Sequence, residues 1–184
     1  MTKRTILTAL AAGGMLALTA CSSDSVDDAE ASGEVGSETL AALVEEHEQL
    51  STTAEILGDT GLQNVFDGNA PYTIFAPTDD AFDALDIPLD GEEAQAARVA
   101  ILREHIVPGF LTRDDIVGAI ESGGGSVEMQ TMGSNTLTFS EDGGTLLVAS
   151  SDGTEARVAG AVMSGANGSV FPIDGVLKST DEPG

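Results

Sequence analysis

Cysteine is almost missing from this chain: Cys21 is the only one among 184 residues. A disulfide within the chain is therefore excluded, and the fold must hold together by packing alone. Long apolar runs are missing as well. The run from Ile6 to Leu18 falls short of the roughly 20 residues a membrane-spanning helix needs, and no later stretch comes closer. Basic residues are scarce, with seven Lys and Arg against 31 Asp and Glu and a net charge of −24. So acidic a surface repels nucleic acid, whose binding depends on neutralising phosphates, and it repels anionic lipid headgroups. It also keeps the chain soluble by self-repulsion. Because Lys178 is the only lysine after Lys3, a saline setting that screens this repulsion is favoured over plain solubility.

The beginning of the chain has an order of its own. Lys3 and Arg4 precede the apolar run, which ends in Leu18-Thr19-Ala20-Cys21. Positive start, short apolar core and small residues before a cysteine match a bacterial lipoprotein signal, with residues 1–20 removed and Cys21 acylated. The competing reading is an ordinary secretory peptide cut after Ala20, with Cys21 incidental. After cleavage 164 residues remain, five basic against 31 acidic, a net charge of −26. Membrane attachment would then run through lipid on Cys21. Residues 21–37, SSDSVDDAEASGEVGS after the cysteine, are too polar to pack and read as an acidic flexible tether. Ser22 is not the aspartate that retains lipoproteins at the inner membrane, which points to the outer membrane in a Gram-negative cell and to the cell surface otherwise. One domain is expected over 38–180, with a tail at 181–184.

Within that domain the pattern moves from helices to strands. Ser37 is the expected N-cap of a helix carrying Leu40, Leu43 and Val44, and a second helix carries Ala54 and Leu57. Tyr72-Thr73-Ile74-Phe75 reads as a buried strand, followed by Ala76-Pro77 and a short helix capped by Thr78 or Asp79. Glu92 to Ile106 is the strongest helical stretch, with Ala94, Ala97, Ile101, Leu102 and His105 near one face. After Gly118 short alternating runs take over: Val127–Thr131, Thr136–Ser140, Leu146–Ala149, Ala156–Ala159 and Val170–Ile173. Gly, Asp, Ser and Asn separate them. This order predicts an α+β domain with an antiparallel sheet.

Three segments in register resemble the fasciclin family. Tyr72-Thr73-Ile74-Phe75-Ala76-Pro77-Thr78-Asp79-Asp80-Ala81-Phe82-Asp83-Ala84-Leu85 matches its first signature, and Leu102-Arg103-Glu104-His105-Ile106-Val107-Pro108-Gly109 its central one. Asn167-Gly168-Ser169-Val170-Phe171-Pro172-Ile173-Asp174-Gly175-Val176-Leu177 matches the closing one. The resemblance implies a wedge-shaped β-sandwich with helices packed at one end, and a role in adhesion or extracellular binding without catalysis. Two segments depart from the family pattern. Glu104 stands where a tyrosine is usual, and Phe171-Pro172 replaces a His-Val pair. Pro172 has no N–H for a ladder, so its strand is expected at an edge or with a bulge.

Few residues offer chemistry. His47 lies among Glu45, Glu46 and Glu48 and is expected at the surface. His105 has two readings: a buried ring hydrogen-bonded to the neighbouring turn, which is the favoured one, or a binding or catalytic group. No serine occupies a Gly-x-Ser-x-Gly turn, which disfavours a triad. Zinc lacks ligands when the one cysteine is lipidated, and no stretch matches a calcium loop. A weak divalent site at Asp79, Asp80, Asp83 and Asp86 is the alternative to their simply favouring a helix N-terminus. Gly123-Gly124-Gly125 lacks the lysine of a phosphate loop and reads as a connection. No cofactor is implied. Asp115-Ile116 matches an Asp-Ile pair linked in the family to receptor adhesion; the bland alternative is a capped helix turn with Ile116 and Ile120 facing the core. The expected function is a lipid-anchored binding or adhesion module with a protein or polysaccharide ligand in the envelope. The alternatives are a structural acidic envelope protein and, last, a metal-dependent accessory factor or enzyme.

Overall fold

The structure, a computed structural model, describes residues 36–85 and 94–177. Residues 1–35, 86–93 and 178–184 lie outside the described residues, and with them the expected signal peptide, Cys21, most of the expected tether, Asp86 and the expected tail. Helices come first: α1 (Leu40–Glu46), a 3-10 turn (Glu48–Leu50), α2 (Ser51–Asp59) and the single turn α3 (Gln63–Phe66). The N-cap of α1 is Thr39 rather than Ser37, its hydroxyl accepting the Ala42 N–H. Ser37 cannot serve because the helix begins only at Leu40, and the chain at Ser37 and Glu38 bends before it. Gly36 N–H donates to Ser164 O and Ala166 N–H to Glu38 O, both at 2.8 Å.

Next come β1 (Tyr72–Pro77), α4 (Asp79–Asp83), α5 (Gln95–Glu104), β2 (Ile106–Pro108) and α6 (Arg113–Ser122). The long helix expected to reach Ile106 stops at Glu104. Pro108 biases Val107 toward extended backbone, and the His105 carbonyl is taken by the Phe75 N–H at 2.8 Å. Ile101 and Leu102 face inward as expected, whereas Ala97 is exposed. The chain finishes with β3 (Ser126–Gln130), β4 (Thr136–Asp142), β5 (Thr145–Ser150), β6 (Glu155–Arg157), β7 (Met163–Gly165) and β8 (Gly168–Ile173).

The strands form two four-stranded sheets. Sheet B has the order β3-β4-β5-β6 and is antiparallel throughout, as expected. Sheet A has the order β2-β1-β8-β7, and here the expectation fails: β1 and β8 pair in parallel, from Tyr72↔Gly168 to Pro77↔Ile173. The first and closing signatures thus lie side by side, pointing the same way, with all that separates them acting as the crossover. Gly168 makes this possible. A Cβ there would stand 1.8 Å from the Tyr72 carbonyl oxygen, and its φ of +153° suits glycine alone. Asn167 beside it joins three segments: its side-chain oxygen accepts the Leu40 N–H at 2.9 Å, and its amide donates to the Phe66 and Gly68 carbonyls.

Pro172 corrects a second expectation, since β8 is an inner strand rather than an edge. In a ladder one residue's N–H and C=O point to the same side. The Pro172 carbonyl accepts from Ala159, beyond the end of the three-residue β7, where a single bridge from Val158 to Ile173 takes over. The missing donor therefore falls where no full strand needs it.

Sheet A divides the hydrophobic interior in two. Ile74, Ala76, Ile106 and Val170 pack on its helix side with Leu40, Val44, Leu57 and Leu102. Phe75, Val107, Phe171 and Ile173 face the other way, against Leu137, Phe139 and Val148 of sheet B and Ile116 and Ile120 of α6. Phe75 lies at the centre, its ring 4.9 Å from that of Phe139 and 5.1 Å from that of Phe171.

Candidate functional site

His105 is fully buried at the C-terminal end of α5. Its Nε2 accepts the Leu177 N–H at 2.8 Å, which fixes the proton on Nδ1, and Nδ1 donates to the Ile101 carbonyl at 2.7 Å. Both ring nitrogens are thus used within the protein. Burial pushes its pKa down to about 4, against smaller upward pulls from the Ile101 carbonyl and the Glu104 charge. The ring is neutral over the physiological range and ties the end of α5 to the segment that follows β8. His47 lies between α1 and the following turn, half-buried rather than freely exposed.

Asp115 and Ile116 share the first turn of α6, yet they point apart. Thr112 and Asp115 form a capping box, the Thr112 hydroxyl accepting the Asp115 N–H at 3.1 Å and the Asp115 carboxylate accepting the Thr112 N–H at 2.9 Å. The Thr112 hydroxyl, followed by its backbone N–H, holds the Asp115 carboxyl below the usual carboxylate range. Ile116 is fully buried in the core between the sheets, so of this pair only Asp115 reaches solvent. The structure does not bring Asp115 and His105 together through any hydrogen bond or ion pair.

The acidic cluster after β1 follows the helix-terminus reading in part, with Asp79 and Asp80 in the first turn of α4. Thr78 takes the N-cap position of α4, but its side chain makes no capping bond. Asp79 turns away from its own helix and caps α2, accepting the Thr52 N–H and the Ser51 hydroxyl, each at 2.8 Å. Burial pushes its carboxyl up, and the hydrogen bonds from Thr52 and Ser51 together outweigh that and hold it low. Among the described residues no three His, Cys, Asp or Glu side chains gather as a metal site.

The residue that sequence reasoning passed over is Glu104. Its carboxylate clamps the turn between β3 and β4, accepting the Thr131 hydroxyl at 2.9 Å, the Asn135 N–H at 3.0 Å and the Ser134 N–H at 3.0 Å. Gly133 leaves room for this clamp, since a Cβ there would fall 2.2 Å from the carboxylate. The signal was present as the departure from the family's tyrosine. What could not be read was the loop it would hold, 27 residues and more further on.

The surface offers little apolar area. Among the described residues Val65, at 37% exposure, is the one large hydrophobic side chain that stands out. The uncovered outer face of sheet B carries Ser126, Glu128, Gln130, Thr136, Thr138 and Ser140. Arg157 sits at its other edge, in a shallow hollow with Leu147, Glu155 and Asp174.

Residues 48–179 match the family described as the Fasciclin domain. The match begins ten residues after the boundary expected at 38, so α1 precedes it while packing on the same core. Protein sll1483 of Synechocystis sp. is 29% identical over 143 residues, covering 76% of this chain and 72% of that protein. A solved FAS1 domain pair from the insect cell adhesion molecule Fasciclin I superimposes with a TM-score of 0.67 at 19% identity. That likeness covers 78% of this chain, which spans 52% of the insect structure.

Proposed function

Since this chain belongs to the fasciclin family, we propose that it is a non-catalytic binding or adhesion module, held on the outside of the cytoplasmic membrane by lipid on Cys21. The observation that carries the reading is the family match across 48–179, together with what the fold does with the titratable groups. His105 is spent on structure, and Asp79 and Asp115 are spent on helix caps. The insect protein whose domain pair shares the fold is a cell adhesion molecule, which supports the same direction. With Val65 the one large hydrophobic side chain exposed among the described residues, contact with a ligand must be polar and salt-sensitive. A protein or polysaccharide of the envelope is the proposed partner.

The same scarcity of apolar surface favours a second reading, a structural acidic protein that hydrates the envelope and has no specific ligand. Two measurements separate and test these. Metabolic labelling with a fatty-acid analogue should mark the wild-type chain and not Cys21→Ser; equal labelling removes the lipid anchor. Cross-linked pull-down from native membranes should recover one saturable partner that competes with added free domain. Recovery of none leaves the structural reading in place.

A further inference from the structure

The two sheets have four edge strands, β2, β7, β3 and β6, and an uncovered edge offers its N–H and C=O groups to any extended chain. The chain itself covers or blunts three of them. At β7 the Ser164 carbonyl accepts the Gly36 N–H, and the Ala166 N–H just past the strand donates to Glu38 O, each at 2.8 Å. At β6 Asp174 takes both outward groups of Arg157. Its Oδ1 accepts the Arg157 N–H at 2.6 Å, and its own N–H donates to the Arg157 carbonyl at 3.0 Å. At β2 the Ile106 carbonyl accepts the Met132 N–H at 2.7 Å, and Pro108 has no N–H to offer. The β3 edge is different. Thr131 N–H donates to the Asn135 carbonyl at 3.0 Å, and bonded pairs alternate from there along the β3–β4 ladder. Met129 and Val127 therefore bond to Leu137 and Phe139, while Glu128 and Gln130 turn their N–H and C=O groups off the sheet. Both residues are exposed, and these backbone groups have no hydrogen-bond partner among the described residues.

The side chains along this edge decide what fits it. In an added strand the residue opposite Glu128 shares its solvent face, and the flanking residues fall beside Val127 and Met129, which pack on the core between the sheets. Glu128 is the one charged side chain of β3. Arg103, beyond the end of the strand, is held by the Met132 carbonyl. A second copy of the chain is a poor occupant. Two copies pairing antiparallel through Glu128 and Gln130 set their Glu128 carboxylates opposite or diagonal to each other, and each chain is strongly acidic. We propose that the β3 edge takes up an extended segment of a partner protein as an added strand of sheet B, with basic residues facing out beside Glu128 and apolar ones alternating between them. Main-chain hydrogen bonds hold such a strand, and the alternating side chains select it. The acidity that turns away other copies attracts this segment and makes its uptake salt-sensitive. The proposal rests on the binding reading above and narrows its partner to a protein.

The probe is a blocked peptide of alternating Lys and Val, about the length of β3, with a Glu–Val peptide as control, added to the mature chain. In the free chain amide exchange should be fast at Glu128 and Gln130 and slow at Val127 and Met129. Saturating Lys–Val peptide should slow the first pair by about tenfold or more, added NaCl should weaken the effect, and the Glu–Val peptide should not bind. Gln130→Pro removes an outward N–H without touching a ladder bond, so it should keep the fold and lose the peptide. Glu128→Gln keeps the edge and should weaken uptake several-fold, with less dependence on salt. Should Gln130→Pro not fold, the exchange pattern and Glu128→Gln carry the test. No saturable uptake overturns the proposal. Uptake that leaves the Glu128 and Gln130 amides fast, or that survives Gln130→Pro, overturns it too, since charge alone then holds the peptide. Slow exchange at both amides in the free chain also overturns it, because the edge is then already covered by a second copy or by the chain's own ends. An envelope partner captured equally well by wild type and Gln130→Pro overturns this edge while keeping the binding reading.

Discussion

Sheets A and B have the same number of strands, yet they stand in opposite relations to water. All six residues of β8 and five of six in β1 are buried, because helices cover one face of sheet A and sheet B covers the other. In sheet B, β4 and β5 alternate buried and half-buried residues, and the outer face is open. A strand buried on both faces must read as a continuous apolar run, and one with a wet face must alternate. Sheet A therefore holds the interior together, while sheet B closes one side of it and keeps its other face open to solvent.

The largest effect should come from the place where the sheets meet. Phe75→Ala removes the ring in contact with both Phe139 and Phe171 and leaves a cavity between fully buried walls. It should cost about 3–5 kcal/mol in chemical denaturation. A cost near 1 kcal/mol would mean that the two sheets are only loosely apposed, and the contrast drawn above would fail.

His105 comes next, since it secures the covered side of sheet A. His105→Ala loses a buried ring and leaves the Leu177 N–H and Ile101 carbonyl unpaired, costing on the order of 2–4 kcal/mol. The same residue predicts a pH dependence with a definite sign. Its folded pKa of about 4 lies below the ordinary 6.5, so the unfolded chain takes up the proton first. The stability due to neutral His105 is complete above about pH 6.5 and drains away as pH falls toward 4, by about 3 kcal/mol in all. In His105→Ala the slope between pH 6.5 and 4 should flatten. An unchanged slope would assign the acid lability to other groups.

How much of this was legible in the sequence follows the same division. The alternation Val127-Met129 and Leu137-Phe139 placed β3 and β4 to within a few residues, because the wet face writes its period into the chain. In sheet A the strands β1 and β8 were found through apolar runs and signature residues, but their parallel pairing was not, since register between segments almost a hundred residues apart leaves no local trace. β2 and β7 were missed because three residues cannot show a period. At the candidate site the inward placement of Ile116 and the buried, bonded His105 ring were legible from helix spacing. Asp79 capping α2 and Glu104 clamping the Thr131–Asn135 turn were not, because each partner lies 27 or more residues away. Helix-cap rules look only at near neighbours.

The Glu104 clamp gives a smaller, local effect confined to sheet B. Glu104→Ala removes the acceptor of two hydroxyls and two backbone N–H groups, at a cost of about 1.5–3 kcal/mol. Hydrogen exchange should speed up at Ser134 and Asn135 while the amides of β1 and β8 keep their protection. Loss of protection in sheet A as well would show that the turn and the interior unfold as one unit.

The smallest effect makes the sharpest comparison, because one substitution can be made in both sheets. Thr73 in β1 is fully buried; its hydroxyl donates to the Gly109 carbonyl at 2.8 Å and accepts the Leu111 N–H at 3.0 Å. Thr73→Val keeps the branched shape but leaves two half-buried backbone groups without their hydroxyl partner, so it should cost about 1–3 kcal/mol. Thr138 in β4 sits on the outer face of sheet B, half-buried between Glu128 and Ala149, and its hydroxyl makes no hydrogen bond within the protein. Thr138→Val preserves the β-branch that a strand favours and leaves the ladder intact, so denaturation midpoints should shift by no more than about 0.5 kcal/mol. A loss above 1 kcal/mol at Thr138 would mean that this face is covered in solution. Dilution then decides by what: a cost that vanishes at low protein concentration identifies a second copy of the chain.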